Sequence, residues 1–357
     1  MSSYRDLEIP VSSATVSVKI FDTIPAGEHK NVKGSVHGML EPVLPGHEKL
    51  ECPIFCFFIE HTSSGKRIVF DLGLRKDLNN CAPSVAGVLQ EFFPHTDEDI
   101  VDLMQAHGID IDSIGAVVWS HSHVDHTGDV SRFPASTNVV VSKSLVMESY
   151  ETNQSSTLLP SDLTGRKVNM VDFELQIGAF KAHDYFGDGS FYLLDVPGHQ
   201  DGHMCGLARV TPTSFILMGG DACHHIGILR PTDLLHRNHP CPAALLQRTR
   251  HTVSHQHFPN AGSAFDLEQH TKPLLRVGSG PYQADSVVAQ QSADALTVFD
   301  GNPDVFVVLA HDSSLLPLFG TAYPVVLDQW KAKGWKERMV WSFLDEENPA
   351  FRFNERT

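Results

Sequence analysis

Six cysteines without a single C-x-x-C pair, few bases and no long apolar run narrow the field first. A membrane-spanning helix needs about 18 or more apolar residues in a row, and no stretch approaches that. With 27 Lys and Arg against 43 Asp and Glu, the net charge is −16. Nucleic acid and anionic membranes select basic patches, so neither is expected as a partner. Cys52, Cys56, Cys81, Cys205, Cys223 and Cys241 read as free, mostly buried thiols of a reducing compartment. The stretch Met1 to Ser13 is polar, carries both charge signs and has no signal-peptide core. A cytoplasmic location is the expectation. There is no tandem repeat, low-complexity tract or linker-like shift in composition. One domain over residues 1–357 is therefore expected, with a small-molecule partner; nothing bears on oligomeric state.

What the chain does have is histidine, 21 in all. Their placement follows a pattern of apolar runs that stop at polar clusters. Residues 14–22 alternate as a strand. Residues 23–50 are rich in Gly and Pro and read as loop. Cys52 to Glu60 and Arg67 to Asp71 flank Ser63-Ser64-Gly65 as a hairpin. Residues 84–93 and 97–107 have helical character, with Gly108 as a C-terminal stop. Further strands are expected at 114–120, Asn138 to Ser142, Phe191 to Val196, Ser214 to Met218 and Val305 to Leu309. Helices are expected near 242–255, at 284–299 and at 325–334. The long, irregular 225–283 segment is large for a connection and reads as an insertion or lid that roofs a pocket and sets substrate size.

Four of the apolar runs deliver metal-competent side chains. Behind 114–120 comes His121-Ser122-His123-Val124-Asp125-His126; the later runs end at His199, Asp221 and His311. Ligands at successive strand ends converge on one edge of a sheet. Imidazoles with carboxylates favour Zn, Fe or Mn over Ca or Mg. Seven donors exceed one tetrahedral ion and divide into two sites sharing a carboxylate. Two such cations about 3.5–4 Å apart could hold a bridging hydroxide as nucleophile.

The run His121-x-His123-x-Asp125-His126, followed in order by His199, Asp221 and His311, resembles the metallo-β-lactamase superfamily over roughly residues 50–315; Asp71-Leu72-Gly73 fits its early motif. The resemblance implies an α+β fold, a four-layer αββα sandwich with the site at one edge of two sheets. It implies two divalent metal ions, zinc foremost: His121, His123 and His199 on one, Asp125, His126 and His311 on the other, Asp221 bridging. Metallo-β-lactamases proper usually lack the bridging Asp or the last ligand of the run, and flavodiiron relatives put Glu at the place of His123. The pattern is most similar to the quorum-quenching lactonase branch: a hydrolase opening a cyclic ester or amide, with Asp125 shuttling a proton to the leaving group.

One departure concerns the substrate. That branch carries Tyr three residues after the bridging Asp, where this chain has His224. His224 could donate the same hydrogen bond to a substrate carbonyl as a catalytic residue; alternatively His224 and His225 support the ligands or face solvent. The chain is also similar to relatives that open γ-lactams and cyclic carbamates of plant defence compounds. A glyoxalase-type thioester hydrolase is a further reading, although Asp129 stands where those proteins often have Gly. A non-catalytic metal-binding protein is the reading of another class. His203 reads as support behind the ligands, Asp312 as support or a helix cap, and His251, His255 and His257 as a loop cluster more than a second metal site.

Overall fold

A seven-stranded sheet and a six-stranded sheet face one another across the middle of the molecule. The computed structural model describes residues 2–43, 47–245, 271–345 and 347–351. In chain order the strands are β1 Val16–Asp22, β2 Leu40–Glu41, β3 Phe55–His61, β4 Arg67–Phe70, β5 Ile114–Val118, β6 Asn138–Ser142, β7 Val168–Val171, β8 Leu175–Ile177, β9 Phe180–Asp184, β10 Phe191–Asp195, β11 Met204–Thr211, β12 Ser214–Met218, β13 Arg276–Val277, β14 Val305–Val308 and β15 Val325–Val326. The first sheet runs β15-β1-β3-β4-β5-β6-β7 and the second β14-β12-β11-β10-β9-β8; β2 and β13 pair separately.

The pattern of side chains explains the layers. Phe57, Phe70 and Val118 pack between the sheets with Phe191, Leu193, Ile216 and Phe306. Their neighbours Phe58, Val69 and Val117 point the other way, against Ile100, Val101 and Met104 of the helix Ile100–Ala106. On the far face of the second sheet, Leu194, Leu207, Leu217 and Val307 meet Ala289, Ala293, Leu296 and Phe299 of the helix Ser286–Gly301. The order is helix, sheet, sheet, helix. Each fully buried Leu, Ile, Val or Phe here contributes roughly 1.5–3 kcal/mol. Strand β5 is buried on both faces, which is why it is a continuous apolar run; it lies parallel to β4 and β6. In the second sheet β14 lies parallel to β12, and the residues that follow β5, β12 and β14 form the polar loops.

Most strands expected from the sequence are present. The helix expected at 325–334 is not: Val325 and Val326 pair antiparallel with Ile20 and Lys19, and the helix comes later, at Trp335–Met339. Two β-branched residues after Pro324 take the free edge of β1, and that tertiary pairing decides the local structure. The six cysteines are free and buried, as expected. Among the described residues no helix is long and apolar enough to cross a membrane. Residues 246–270 lie outside the described residues. So do most of the helix expected near 242–255, the cluster His251, His255 and His257, and much of the segment read as a lid. Its described parts include a short helix, Asp233–Asn238, and β13.

Candidate metal centre

Asp71 is the first fixed point of the site. It follows β4 with φ 57°, a left-handed backbone that a non-glycine residue adopts only when held. The Ser120 N–H and hydroxyl both donate to its carboxylate at 2.7 Å, and His126 Nδ1 lies 2.8 Å from it. His126 thereby presents Nε2 to the site. Three other ligand candidates are turned by the same device. His121 Nδ1 is 2.9 Å from Ser120 Oγ, His199 Nδ1 is 3.1 Å from Gln283 Oε1, and His311 Nδ1 is 3.0 Å from the Pro53 carbonyl. Anchored Nδ1 atoms leave Nε2 lone pairs pointing inward.

Two groups result. His121, His123, His199 and Asp221 form one; Asp125, His126 and His311 form the other. In the first, His199 Nε2 lies 3.1 Å from His121 Nε2 and 3.0 Å from His123 Nδ1. Asp221 divides its oxygens. Oδ2 is 3.6 Å from His199 Nε2 and 3.9 Å from His121 Nε2. Oδ1 is 3.2 Å from His126 Nε2 and 3.1 Å from His311 Nε2. Asp125 Oδ2 reaches His311 at 3.5 Å and His126 at 3.9 Å.

The donor set fits cations and little else. Asp221 Oδ1 and His126 Nε2 are buried without a hydrogen-bond partner, although close together. Buried polar atoms in that condition cost about 1–3 kcal/mol each unless something else satisfies them. Burial, then the neighbouring imidazoles, hold His121 and His199 well below the usual histidine range, and burial lowers His123. These rings offer neutral lone pairs. Burial acts downward on His126 and His311 too, but it is outweighed by Asp221, Asp71 and Asp125 together at His126 and by Asp221 with Cys52 at His311, and both lie well above the usual range. For Asp221, burial acts upward and is outweighed by His126, His311 and His224, which hold its carboxyl well below the carboxylate range. A cation among Asp125, His126 and His311 would replace protons.

The residues around the two groups resolve the remaining expectations. His203 is fully buried; Nδ1 donates to the Val196 carbonyl, and Nε2 accepts the Asp221 N–H at 3.0 Å. It supports the loop that carries Asp221. His224 Nε2 lies 3.1 Å from Asp221 Oδ2, its ring is parallel to that of His311, and its buried Nδ1 has no partner. His225 belongs elsewhere: it accepts from the Gly227 N–H and donates to the Ala350 carbonyl, tying down residues 347–351. Asp312 caps the turn Ser313–Leu315 by accepting from the Ser314 N–H and hydroxyl. Gln283 and the Pro53 carbonyl were not legible as site groups, because both reach a distant histidine only through the tertiary fold.

Gly198 sets how the His199 loop approaches. Its φ is +122°, and a Cβ there would lie 2.1 Å from the Ala289 nitrogen. Gly198→Ala is expected to cost at least about 3 kcal/mol, from strain and backbone clash together. A thermal melt checks this; an unchanged Tm would show that the helix Ser286–Gly301 yields instead.

Comparison with known proteins gives the family. The metallo-beta-lactamase superfamily model matches residues 50–211. Gamma-lactamase FDB1 of Fusarium pseudograminearum is 36% identical, over 98% of this chain and 87% of that protein. Cytochrome P450 monooxygenase mpaDE of Penicillium roqueforti is 38% identical over 95% of this chain, but the chain spans only 38% of that protein's length. Among solved structures, a mutant of B. thuringiensis AiiA with N-decanoyl-L-homoserine at its active site aligns with TM-score 0.49 and 15% identity, over 84% of this chain and 94% of that one. With the family model over β3 to β11 and a 36% identical relative covered over 87% of its length, the chain belongs to the metallo-β-lactamase superfamily of hydrolases.

Proposed function

We propose that the chain is a dinuclear, metal-dependent hydrolase that opens a cyclic amide or ester, with γ-lactams and cyclic carbamates ahead of lactones. The observation that carries the reading is the division of Asp221, one oxygen toward each histidine group. His121, His123 and His199 would hold one cation, Asp125, His126 and His311 the other, and Asp221 would serve both. Zinc suits the donors. Two bound cations supply Lewis acidity and activate water as a nucleophile at neutral pH. The preference for an amide is supported by the gamma-lactamase relative, which the chain covers at 87% of its length. In this reading the chain acts as one domain.

The protein's own groups have distinct tasks. Asp221 balances charge on both sides of the site. Asp71, Ser120 and the Pro53 carbonyl keep His126, His121 and His311 in the tautomer that offers Nε2. Asp125 is the more exposed of the two site carboxylates, 17% against 3% for Asp221, and would carry a proton to the leaving atom. His224 faces Asp221 with Nε2, which ties that nitrogen to the carboxylate and not to a substrate oxygen.

A purified sample is expected to contain two zinc per chain and to open a fused γ-lactam faster than an acyl-homoserine lactone or S-lactoylglutathione. Chelation should abolish turnover and added zinc restore it. Two bound zinc with no turnover of any of these substrates would favour a non-catalytic metal-binding role.

A further inference from the structure

We propose that Gln283 is a positioning residue for the first histidine group, delivered from outside the sandwich by a strap formed by residues 276–285. The proposal rests on the dinuclear reading given above. Three of the four Nε2 donors take their Nδ1 partner from segments that border the two sheets: Ser120 and Asp71 at the ends of β5 and β4, and Pro53 just before β3. His199 differs. Its Nδ1 partner is a side-chain amide oxygen, 84 residues along the chain, at 3.1 Å.

The strap is fixed at both ends, so the position of that oxygen is built in. At one end Arg276 and Val277 pair with Glu41 and Leu40. The Gly278 N–H donates to Met39 at 2.9 Å and the Gly280 N–H to Gly38 at 3.0 Å. The backbones touch there: a Cβ on Gly278 would sit 2.6 Å from Gly38. At the other end the Ala284 N–H donates to the His199 carbonyl and the Asp285 N–H to the Gly198 carbonyl, both at 2.9 Å. Asp285 then caps the helix Ser286–Gly301 through the Val287 and Val288 N–H groups. Gln283 lies between these anchors, and the strap grips both the backbone and the ring of His199.

The chemistry of the partner matters. An amide oxygen accepts the Nδ1 proton and so selects the tautomer with a free Nε2. As a neutral acceptor it pulls on that proton less than a carboxylate does, and leaves the imidazole a weaker donor to a cation. His126, by contrast, is backed by the Asp71 carboxylate. The two groups are thereby unequal, with Gln283 keeping the first one the less basic.

Gln283→Leu keeps the size of the side chain and removes the acceptor. Gln283→Glu keeps an acceptor and adds charge. Zinc affinity measured by competition with a chromophoric chelator, with circular dichroism as a folding control, separates the roles. For Gln283→Leu, one of the two zinc equivalents is expected to weaken by about 10–100-fold while the other stays within about threefold. Gln283→Glu is expected to bind that equivalent at least as tightly as the parent, with kcat lowered and KM little changed. A folded Gln283→Leu that binds both equivalents like the parent overturns the proposal, as does a Gln283→Glu variant that weakens zinc as much as Leu does. If Leu fails to fold, Glu alone decides. A parent protein that binds no zinc overturns the dinuclear reading itself, a result distinct from either variant outcome.

Discussion

Asp221→Asn is expected to lower kcat/KM on any substrate the enzyme turns over by at least about 10³-fold, equivalent to about 4 kcal/mol. The substitution keeps the size of the side chain and removes one charge from the centre of the site. That carboxylate faces His199 and His224 with one oxygen and His126 and His311 with the other. Two divalent cations a few ångströms apart repel strongly in a buried setting, and a shared carboxylate is what offsets the repulsion. With an amide in its place, zinc content is expected to fall from two per chain to one or fewer. Elemental analysis of the dialysed variant measures the loss, and added zinc should restore little of the activity. The backbone position should survive, because His203 holds the Asp221 N–H and not its side chain. A variant with two zinc and parental turnover would remove Asp221 from the centre of the scheme.

The elements that lead to this site were those with the plainest local pattern. Strand β5 is an apolar run, and β6 and β12 are each built around one, Val139 to Val141 and Phe215 to Met218. A strand that ends at a cluster of imidazoles and carboxylates has few other physical explanations, so 121–126, 199, 221 and 311 could be read together. The strands β7, β8 and β9 were not read, because each is short and half exposed, with mixed residues such as Leu175-Gln176-Ile177. Their existence depends on neighbours in the sheet. The stretch Val325–Val326 shows the same point in reverse: a local reading gave helix, and pairing with β1 gave strand. At the site, the residues that could be read are those whose own chemistry is diagnostic. Gln283 and the Pro53 carbonyl act through a hydrogen bond to someone else's ring, and only the folded chain brings them there. His224 and His225, adjacent and alike in sequence, point to the site and to Ala350 respectively, a difference of backbone direction that spacing does not encode.

Asp125→Asn is expected to distinguish an amide substrate from an ester. Asparagine can still offer an oxygen toward His126 and His311, but it cannot take up and release a proton. An amine leaves a tetrahedral carbon only once its nitrogen is protonated, whereas an alkoxide tolerates leaving with little help. General acid–base groups commonly contribute 10²–10⁴-fold. At saturating zinc, kcat on a γ-lactam should therefore fall by about 10²-fold or more, and on a lactone by about 10-fold less than that. Asp125 is suited to the task because it is less enclosed than Asp221 and lies farther from the nearest imidazole nitrogen, 3.5 Å from His311 Nε2 against 3.1 Å for Asp221. Zinc saturation matters, since the loss of its charge also weakens the second group. Single-turnover rates for the two substrates, measured with the same enzyme preparation and its metal content known, isolate the proton step. Equal losses on lactam and lactone would mean that Asp125 acts only through the cation it would hold, and the leaving group would have to draw its proton from elsewhere.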